Sequence, residues 1–260
     1  MNIIEIESKD NKKIKELNKL KLKKYRQKSG LFVVENWKII QDAFRSDICF
    51  KEVFLTKDFL NRNKEELADT LGENGSVFLV ADSIGKNFSS LESPQGIWAI
   101  YEIREKQIDF KKDIIYLNGI NDPGNLGTIL RSSLAFGLEN IVLDEKCVDI
   151  YNPKVIQAAK DAIFKLNLAF DKNKEIIRKI KEKDIKVYIT SVKQGENSSD
   201  IFSSDEKKCI VLGSESHGVE EFLEKEADKF INIKTTSKIE SLNVAISAGI
   251  IFYELFKQRK

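Results

Sequence analysis

Residues 114–137 read Ile-Ile-Tyr-Leu-Asn-Gly-Ile-Asn-Asp-Pro-Gly-Asn-Leu-Gly-Thr-Ile-Leu-Arg-Ser-Ser-Leu-Ala-Phe-Gly. The apolar run at 114–118 predicts a strand buried on both faces, since such strands lose the polar alternation of a half-exposed one. The polar, glycine-bearing stretch 121–127 then interrupts the run, and a helix is expected over 126–136. Strand, polar loop and helix in this order form the repeating unit of a parallel sheet.

The unit recurs downstream. Strands are expected at 141–143, 187–190, 209–212 and 230–233, with helices at 154–164, 174–183 and 220–227 and a long final helix over 241–256. The fold class is therefore α/β, with a mainly parallel sheet covered on both faces. Ligands of such sheets bind beyond the carboxyl ends of the strands. Three polar, glycine- or serine-bearing clusters stand at those ends, at 121–127, 213–218 and 235–243. Together they predict one composite site.

Upstream, strands are expected at 31–35, 53–56, 77–80 and 97–101, with helices at 37–45 and 60–71, forming a smaller α/β domain. The charged stretch 103–113 has no clear periodicity, which places domains at 1–105 and 113–260 with a linker at 106–112. The net charge of +2 implies no particular partner, but residues 1–30 hold ten Lys/Arg against four Asp/Glu, leaving the remainder at −4. Within that stretch Ile14, Leu17, Leu20 and Tyr25 recur at helical spacing over 11–26, with lysines on the other faces. Such a helix either lies along a phosphate backbone, releasing counterions, or is a solvated helix docked on its own domain.

Several function classes are disfavoured. Residues 213–218 have the glycine spacing of a phosphate-binding loop, yet Val219 and Glu220 stand where Lys and Ser/Thr are required. No GxGxxG follows a strand. The lone histidine, His217, lies too near Ser214 in the chain to imply a hydrolase triad. Cys49, Cys147 and Cys209 are far apart and form no CxxC pair, so no metal site is expected. No run approaches the roughly 20 apolar residues of a membrane span, and residues 1–10 carry no secretory pattern. A cytoplasmic location is expected.

Three segments carry a resemblance to a known family. They are Asn125-Leu126-Gly127-Thr128-Ile129-Leu130-Arg131; Ile210-Val211-Leu212-Gly213-Ser214-Glu215-Ser216-His217-Gly218; and Ser241-Leu242-Asn243-Val244-Ala245-Ile246-Ser247-Ala248-Gly249. In this order, each after a strand, they resemble the motifs of the SpoU/TrmH family of RNA ribose methyltransferases, in the SPOUT superfamily. Ser8-Lys9-Asp10-Asn11, Gly30-Leu31-Phe32-Val33-Val34-Glu35 and Ser93-Pro94-Gln95-Gly96 resemble that family's N-terminal substrate-binding domain, which is similar to small ribosomal RNA-binding proteins.

The resemblance implies a trefoil-knotted C-terminal domain, a homodimer whose site draws on both subunits, S-adenosylmethionine as cofactor, and methylation of a ribose 2′-hydroxyl. The RNA is expected to be 23S rRNA; tRNA, or an rRNA-binding dimer with weakened chemistry, are the alternatives. The family's cofactor contacts map onto Gly213, Ile233 and Leu242, with Leu212 and Thr190 as neighbours, and Gly213 and Gly218 would let backbone approach the cofactor. Arg131 maps onto the catalytic arginine. A guanidinium is a poor general base because it stays protonated, so positioning of phosphate or 2′-oxygen and stabilisation of developing negative charge is the preferred role. Glu215 would orient Arg131 or accept a proton, and Asn125, Ser241 and Asn243 would orient these groups. The chain departs from the family at Asn36, Ser216, Lys234-Thr235 and Ala159-Lys160-Asp161, where Gly, Gly, Pro-Met and Ser-Met-Gly or Ser-Ala-Gly are usual.

Overall fold

The computed structural model describes residues 3–71, 75–89, 93–192, 195–197, 206–214, 217–236 and 238–258. The chain divides into two units, Met1–Arg104 with Tyr151–Gln157, and Glu105–Ile150 with Ala158–Lys260. Residues 151–157, inside the range expected for the second domain, thus fall with the first unit. There Gln157 Nε2 donates to Glu35 O at 2.8 Å, and Asn36 Nδ2 donates to Gln157 Oε1 at 3.2 Å. Asn36 also caps a helix through its side-chain oxygen, a use that glycine at this position could not supply.

The first unit runs β1 Ile3–Ile6, α1 Lys12–Lys19, α2 Lys23–Ser29, β2 Leu31–Val34, α3 Trp37–Phe44, β3 Glu52–Thr56, α4 Lys57–Arg62, α5 Lys64–Leu71, β4 Ser76–Val80, α6 Asp82–Phe88 and β5 Ile97–Glu102. Among the described residues its sheet has the order β1-β4-β3-β5-β2, with β5 antiparallel to both neighbours. Phe54, Phe78, Trp98 and Ile100 of the sheet pack with Ile14 and Leu17 of α1 in one apolar cluster. Each such side chain contributes about 1.5–3 kcal/mol on full burial.

The single helix expected over 11–26 is instead two. The amides of Leu20, Lys21 and Leu22 turn back to carbonyls three residues earlier. The Arg26 guanidinium, only 4% exposed, donates to Leu20 O at 2.7 Å and Lys21 O at 2.8 Å. Arg26 therefore satisfies carbonyls left open beyond the end of α1 and is withdrawn from the basic surface. Lys12, Lys15, Lys19, Lys23, Lys24 and Lys28 remain exposed. The helix expected over 60–71 is also split. The Thr56 hydroxyl accepts from Phe59 N at 3.2 Å and starts α4 early. Asn63 leaves helical geometry and donates its amide to Phe59 O at 3.0 Å, the local competition that makes asparagine a helix breaker.

The second unit continues with β6 Ile114–Asn118, α7 Pro123–Ala135, β7 Asn140–Asp144, α8 Pro153–Ala159 (which begins in the first unit), α9 Ala162–Lys165, β8 Asn167–Asp171, α10 Glu175–Glu182, β9 Lys186–Thr190, β10 Glu196–Asn197, β11 Lys208–Gly213, α11 Glu221–Lys225, β12 Lys229–Asn232 and α12 Val244–Gln258. Among the described residues its sheet has the strand order β10-β12-β9-β11-β6-β7-β8, with every pair parallel. The mainly parallel α/β architecture is thus as expected. Residues such as Tyr116, Val142, Val187 and Val211 pack against Ile177 and Ile180 of α10 and Leu223 of α11.

Three boundaries in this unit differ from expectation. The helix over 154–164 is broken at Lys160, which adopts a left-handed φ of 57°. Strand β12 stops at Asn232, leaving Ile233 in the following loop. The last helix begins at Val244 because Asn243 Oδ1 accepts from Ala245 N at 2.9 Å and Ile246 N at 3.3 Å. Ser241, Leu242 and Asn243 are therefore loop and cap residues. No described helix is long and apolar enough to cross a membrane.

Candidate active site

The last residues of β9, β11 and β12 bound a cavity of about 770 Å³. Thr190 closes β9, and Leu212 and Gly213 close β11. Ile231 and Asn232 end β12, followed by Ile233, Lys234 and Thr235. Ser241 and Leu242 form a further wall, with Val244, Ser247 and Ile251 of α12 beside them. The six residues expected to hold a cofactor, Thr190, Leu212, Gly213, Gly218, Ile233 and Leu242, all line this one cavity. Their grouping follows from topology, since β11 and β12 both flank β9.

The turn after β11 is built on two glycines. Ser214 N donates to Gly218 O at 3.0 Å, and Gly218 N returns to Ser214 O at 2.9 Å. Gly218 has φ 69°, a region open to glycine at little cost. A Cβ on Gly213 would fall 2.3 Å from Gly218 C and 2.5 Å from Val219 N. The chain therefore folds back over Gly213 more closely than any side chain permits. His217 lines the cavity and donates its amide to Ser214 Oγ at 3.2 Å. Glu215 and Ser216 lie outside the described residues.

Of the residues expected to act chemically, Ser241 is a cavity wall. Asn125, in the first turn of α7, accepts at Oδ1 from Asn243 Nδ2 at 3.0 Å. This joins α7 to the cap of α12, one residue from the walls Leu242 and Val244. Arg131 is exposed on α7 and is not among the residues that line the cavity. Helices α7 and α12 pack together, with Phe136 set against Tyr253 and Phe256 at centroid distances of 6.0 and 5.9 Å. Among the described residues no cluster of three or more His, Cys, Asp or Glu could hold a metal ion.

The groups behind the turn belong to none of the sequence motifs. Asn118, 3% exposed at the end of β6, accepts from Glu220 N at 2.8 Å and donates to Asp144 Oδ2 at 2.6 Å. The available signal was a polar residue closing an apolar strand immediately before Gly119. The Glu220 carboxylate meets Lys146 Nζ at 2.5 Å and Lys174 Nζ at 3.3 Å. The Lys146 hydrogen bond holds the Glu220 carboxyl below its ordinary range, against a smaller opposing effect of burial. Deeper in the sheet, burial pushes the Tyr116 phenol well above its ordinary range, and its hydroxyl donates to Asp171 Oδ2 at 2.9 Å.

The model of the SpoU rRNA methylase family matches residues 112–253, and that of the MRM3-like substrate-binding domain matches residues 11–99. The 23S rRNA (guanosine(2553)-2'-O)-methyltransferase RlmP of Bacillus subtilis (strain 168) is 28% identical over 251 residues, covering 96% of this chain and 98% of its own. A crystal structure of an RNA 2'-O ribose methyltransferase superimposes with a TM-score of 0.80 at 26% identity, covering 98% of this chain and 99% of that one. An AdoMet-bound rRNA methyltransferase from Sinorhizobium meliloti shares the fold, with a TM-score of 0.85 at 24% identity over 98% of each chain. With more than half its length matched by the family's model, the chain belongs to the SpoU rRNA methylase family.

Proposed function

We propose that this chain methylates a ribose 2′-hydroxyl of 23S rRNA in the cytoplasm, taking the methyl group from S-adenosylmethionine and working as a homodimer. The observation that carries the reading is the cavity of about 770 Å³ that unites Thr190, Leu212, Gly213, Gly218, Ile233 and Leu242. A volume of this size suits a small-molecule cofactor site, for which roughly 300–1,000 Å³ is usual. The donor set also fits. Leu212, Ile233 and Leu242 provide apolar walls for an aromatic base, while Thr190, Asn232 and Ser241 offer polar groups for a ribose or amino acid moiety. When bound, S-adenosylmethionine supplies an activated methyl group at a sulfonium.

The chain's own residues then have three tasks. Gly213, over which Gly218 and Val219 fold too closely for any Cβ, shapes the turn whose backbone would face the cofactor. Asn125 and Asn243 hold α7 in register with the wall residues beside the α12 cap. Arg131 positions the RNA phosphate or 2′-oxygen and stabilises negative charge developing as the hydroxyl loses its proton; Glu215 would orient Arg131 or accept that proton. Because Arg131 is exposed and is not a wall of its own cavity, we assign it to the site of the second protomer. Ile246 and Tyr253 on α12, 57% and 48% exposed, support an apolar face for that pairing. The buried Ala245 and Ala248 of the same helix suit the close passage of a trefoil knot.

The first domain, 1–105, would recognise RNA through the exposed lysines of α1 and α2, with 113–260 as the methyltransferase domain. The name of the Bacillus subtilis relative favours 23S rRNA over tRNA. Mapping ribose methylations in RNA from cells with and without this protein tests the reading. One 23S rRNA 2′-O-methyl group should disappear in its absence; an unchanged rRNA map with a lost tRNA methylation would transfer the activity to tRNA.

A further inference from the structure

We propose that Asn118 and Asp144 are positioning residues that hold the Gly213–Gly218 turn, and with it one wall of the cavity, through a closed ring of four residues. The ring can be followed bond by bond. Asn118 Nδ2 donates to Asp144 Oδ2 at 2.6 Å, and Asn118 Oδ1 accepts from Glu220 N at 2.8 Å. The Glu220 carboxylate meets Lys146 Nζ at 2.5 Å. Lys146 N donates to Asp144 Oδ1 at 3.1 Å and closes the circuit. The same Asp144 oxygen accepts from Gly119 N at 3.0 Å and Cys147 N at 3.0 Å.

The ring joins the ends of β6 and β7 to the segment that follows the turn after β11. Asn118 is the register partner of Gly213 on β11. Asp144 is the last residue of β7, and Glu220 follows directly on the turn that carries Gly218 and Val219. Ser214 and Gly218 bridge each other, Val219 packs into the apolar cluster, and Glu220 is held by the ring. Asn118 suits its place because it presents one donor and one acceptor on a rigid plane, matched to a carboxylate on one side and an amide on the other. It is 3% exposed, so a mismatched partner there has no water to turn to. The proposal rests on the cofactor reading of the cavity only for its functional consequence.

A reciprocal exchange tests it. Asn118→Asp sets two carboxylates face to face, and Asp144→Asn leaves an amide hydrogen opposite a donor or strands Glu220 N. In the double variant Asn118→Asp/Asp144→Asn the introduced amide donates to the introduced carboxylate, which still accepts from Glu220 N, while the introduced amide oxygen accepts the three loop amides. Amide hydrogen exchange over residues 213–220 of the ligand-free protein is one readout and titration with S-adenosylmethionine the other. Each single variant is expected to speed exchange of Glu220 and Gly218 and to weaken cofactor binding by roughly tenfold, the loss of about one buried hydrogen bond. The double variant should return both to within about twofold, reciprocal recovery being the mark of a directly coupled pair. Lys146→Met, at a mostly exposed side chain, opens the ring without disturbing the buried pair and should shift exchange in the same direction by less. Unchanged exchange in the single variants, or recovered thermal stability in the double without recovered exchange and binding, would overturn the proposal. If the wild-type protein takes up no S-adenosylmethionine, the cofactor reading fails, and the exchange data alone still decide the ring.

Discussion

Asn243 Nδ2 donates to Asn125 Oδ1 at 3.0 Å, so two residues 118 positions apart tie the start of α7 to the cap of α12. Asn243 does this while its own Oδ1 caps α12 through Ala245 N and Ile246 N. The two variants should therefore differ. Asn125→Ala loses the bridge, whereas Asn243→Ala loses bridge and cap and should be less stable than Asn125→Ala by about 1 kcal/mol. Urea denaturation of both variants measures the difference; equal stabilities would show that the cap contributes nothing.

Gly213 and Gly218 are both required, for different reasons. Gly213→Ala places a Cβ 2.3 Å from Gly218 C and must displace the turn; it should cost about 1–3 kcal/mol as overpacking and remove cofactor binding. Gly218→Ala meets nothing within 4 Å but holds φ at 69°, so it should cost about 1–2 kcal/mol as backbone strain and weaken binding less. Calorimetric titration alongside denaturation separates the two.

The basic face of the first unit makes a contrasting pair. Lys23 and Lys24 are exposed on α2, while Arg26 is buried with its guanidinium on two carbonyls. Lys23→Ala/Lys24→Ala should leave stability nearly unchanged and lower the salt dependence of RNA affinity, by up to about one unit for each phosphate no longer neutralised. Arg26→Ala should cost about 2–3 kcal/mol by stranding charged-group hydrogen bonds. Its salt slope, measured where the variant is folded, should match that of the wild type. A salt slope that falls with Arg26→Ala would place that side chain on the RNA.

Much of this was legible in the chain. The strand over 114–118 was readable to the residue because five consecutive apolar or strand-ending side chains leave no alternative period. Strands β1 and β8 were not, since each lies at a sheet edge and mixes apolar with polar residues. The helix breaks at 20–22, at Asn63 and at Lys160 carry no Gly or Pro; side-chain bonds from Arg26 and Asn63, and a left-handed turn at Lys160, make them. The cavity walls were readable as motifs. Asn118 and Asp144 were not, because each is one polar residue at the end of a strand and only the parallel pairing of β6 with β7 makes them neighbours.

Acid should expose the Glu220 contribution. Its folded-state carboxyl titrates below the ordinary 4.5, chiefly through the Lys146 hydrogen bond. The stability it adds is therefore complete above the unfolded value and is lost as pH falls through the lower folded one. The ion pair is largely solvent-screened, so the effect should be no more than about 1 kcal/mol. Wild type and Glu220→Gln, compared by thermal melts, should differ most at pH 6 and converge as pH is lowered through 4 toward 3. A gap that widens on acidification would contradict the assignment.

The most direct test is transfer of labelled methyl from S-adenosylmethionine to 23S rRNA by the purified chain, with the product mapped by resistance to alkaline cleavage. One alkali-resistant ribose is predicted, lost in Arg131→Ala while cofactor binding persists. Label on a base, no transfer by wild-type protein saturated with cofactor, or full turnover by Arg131→Ala would contradict the account.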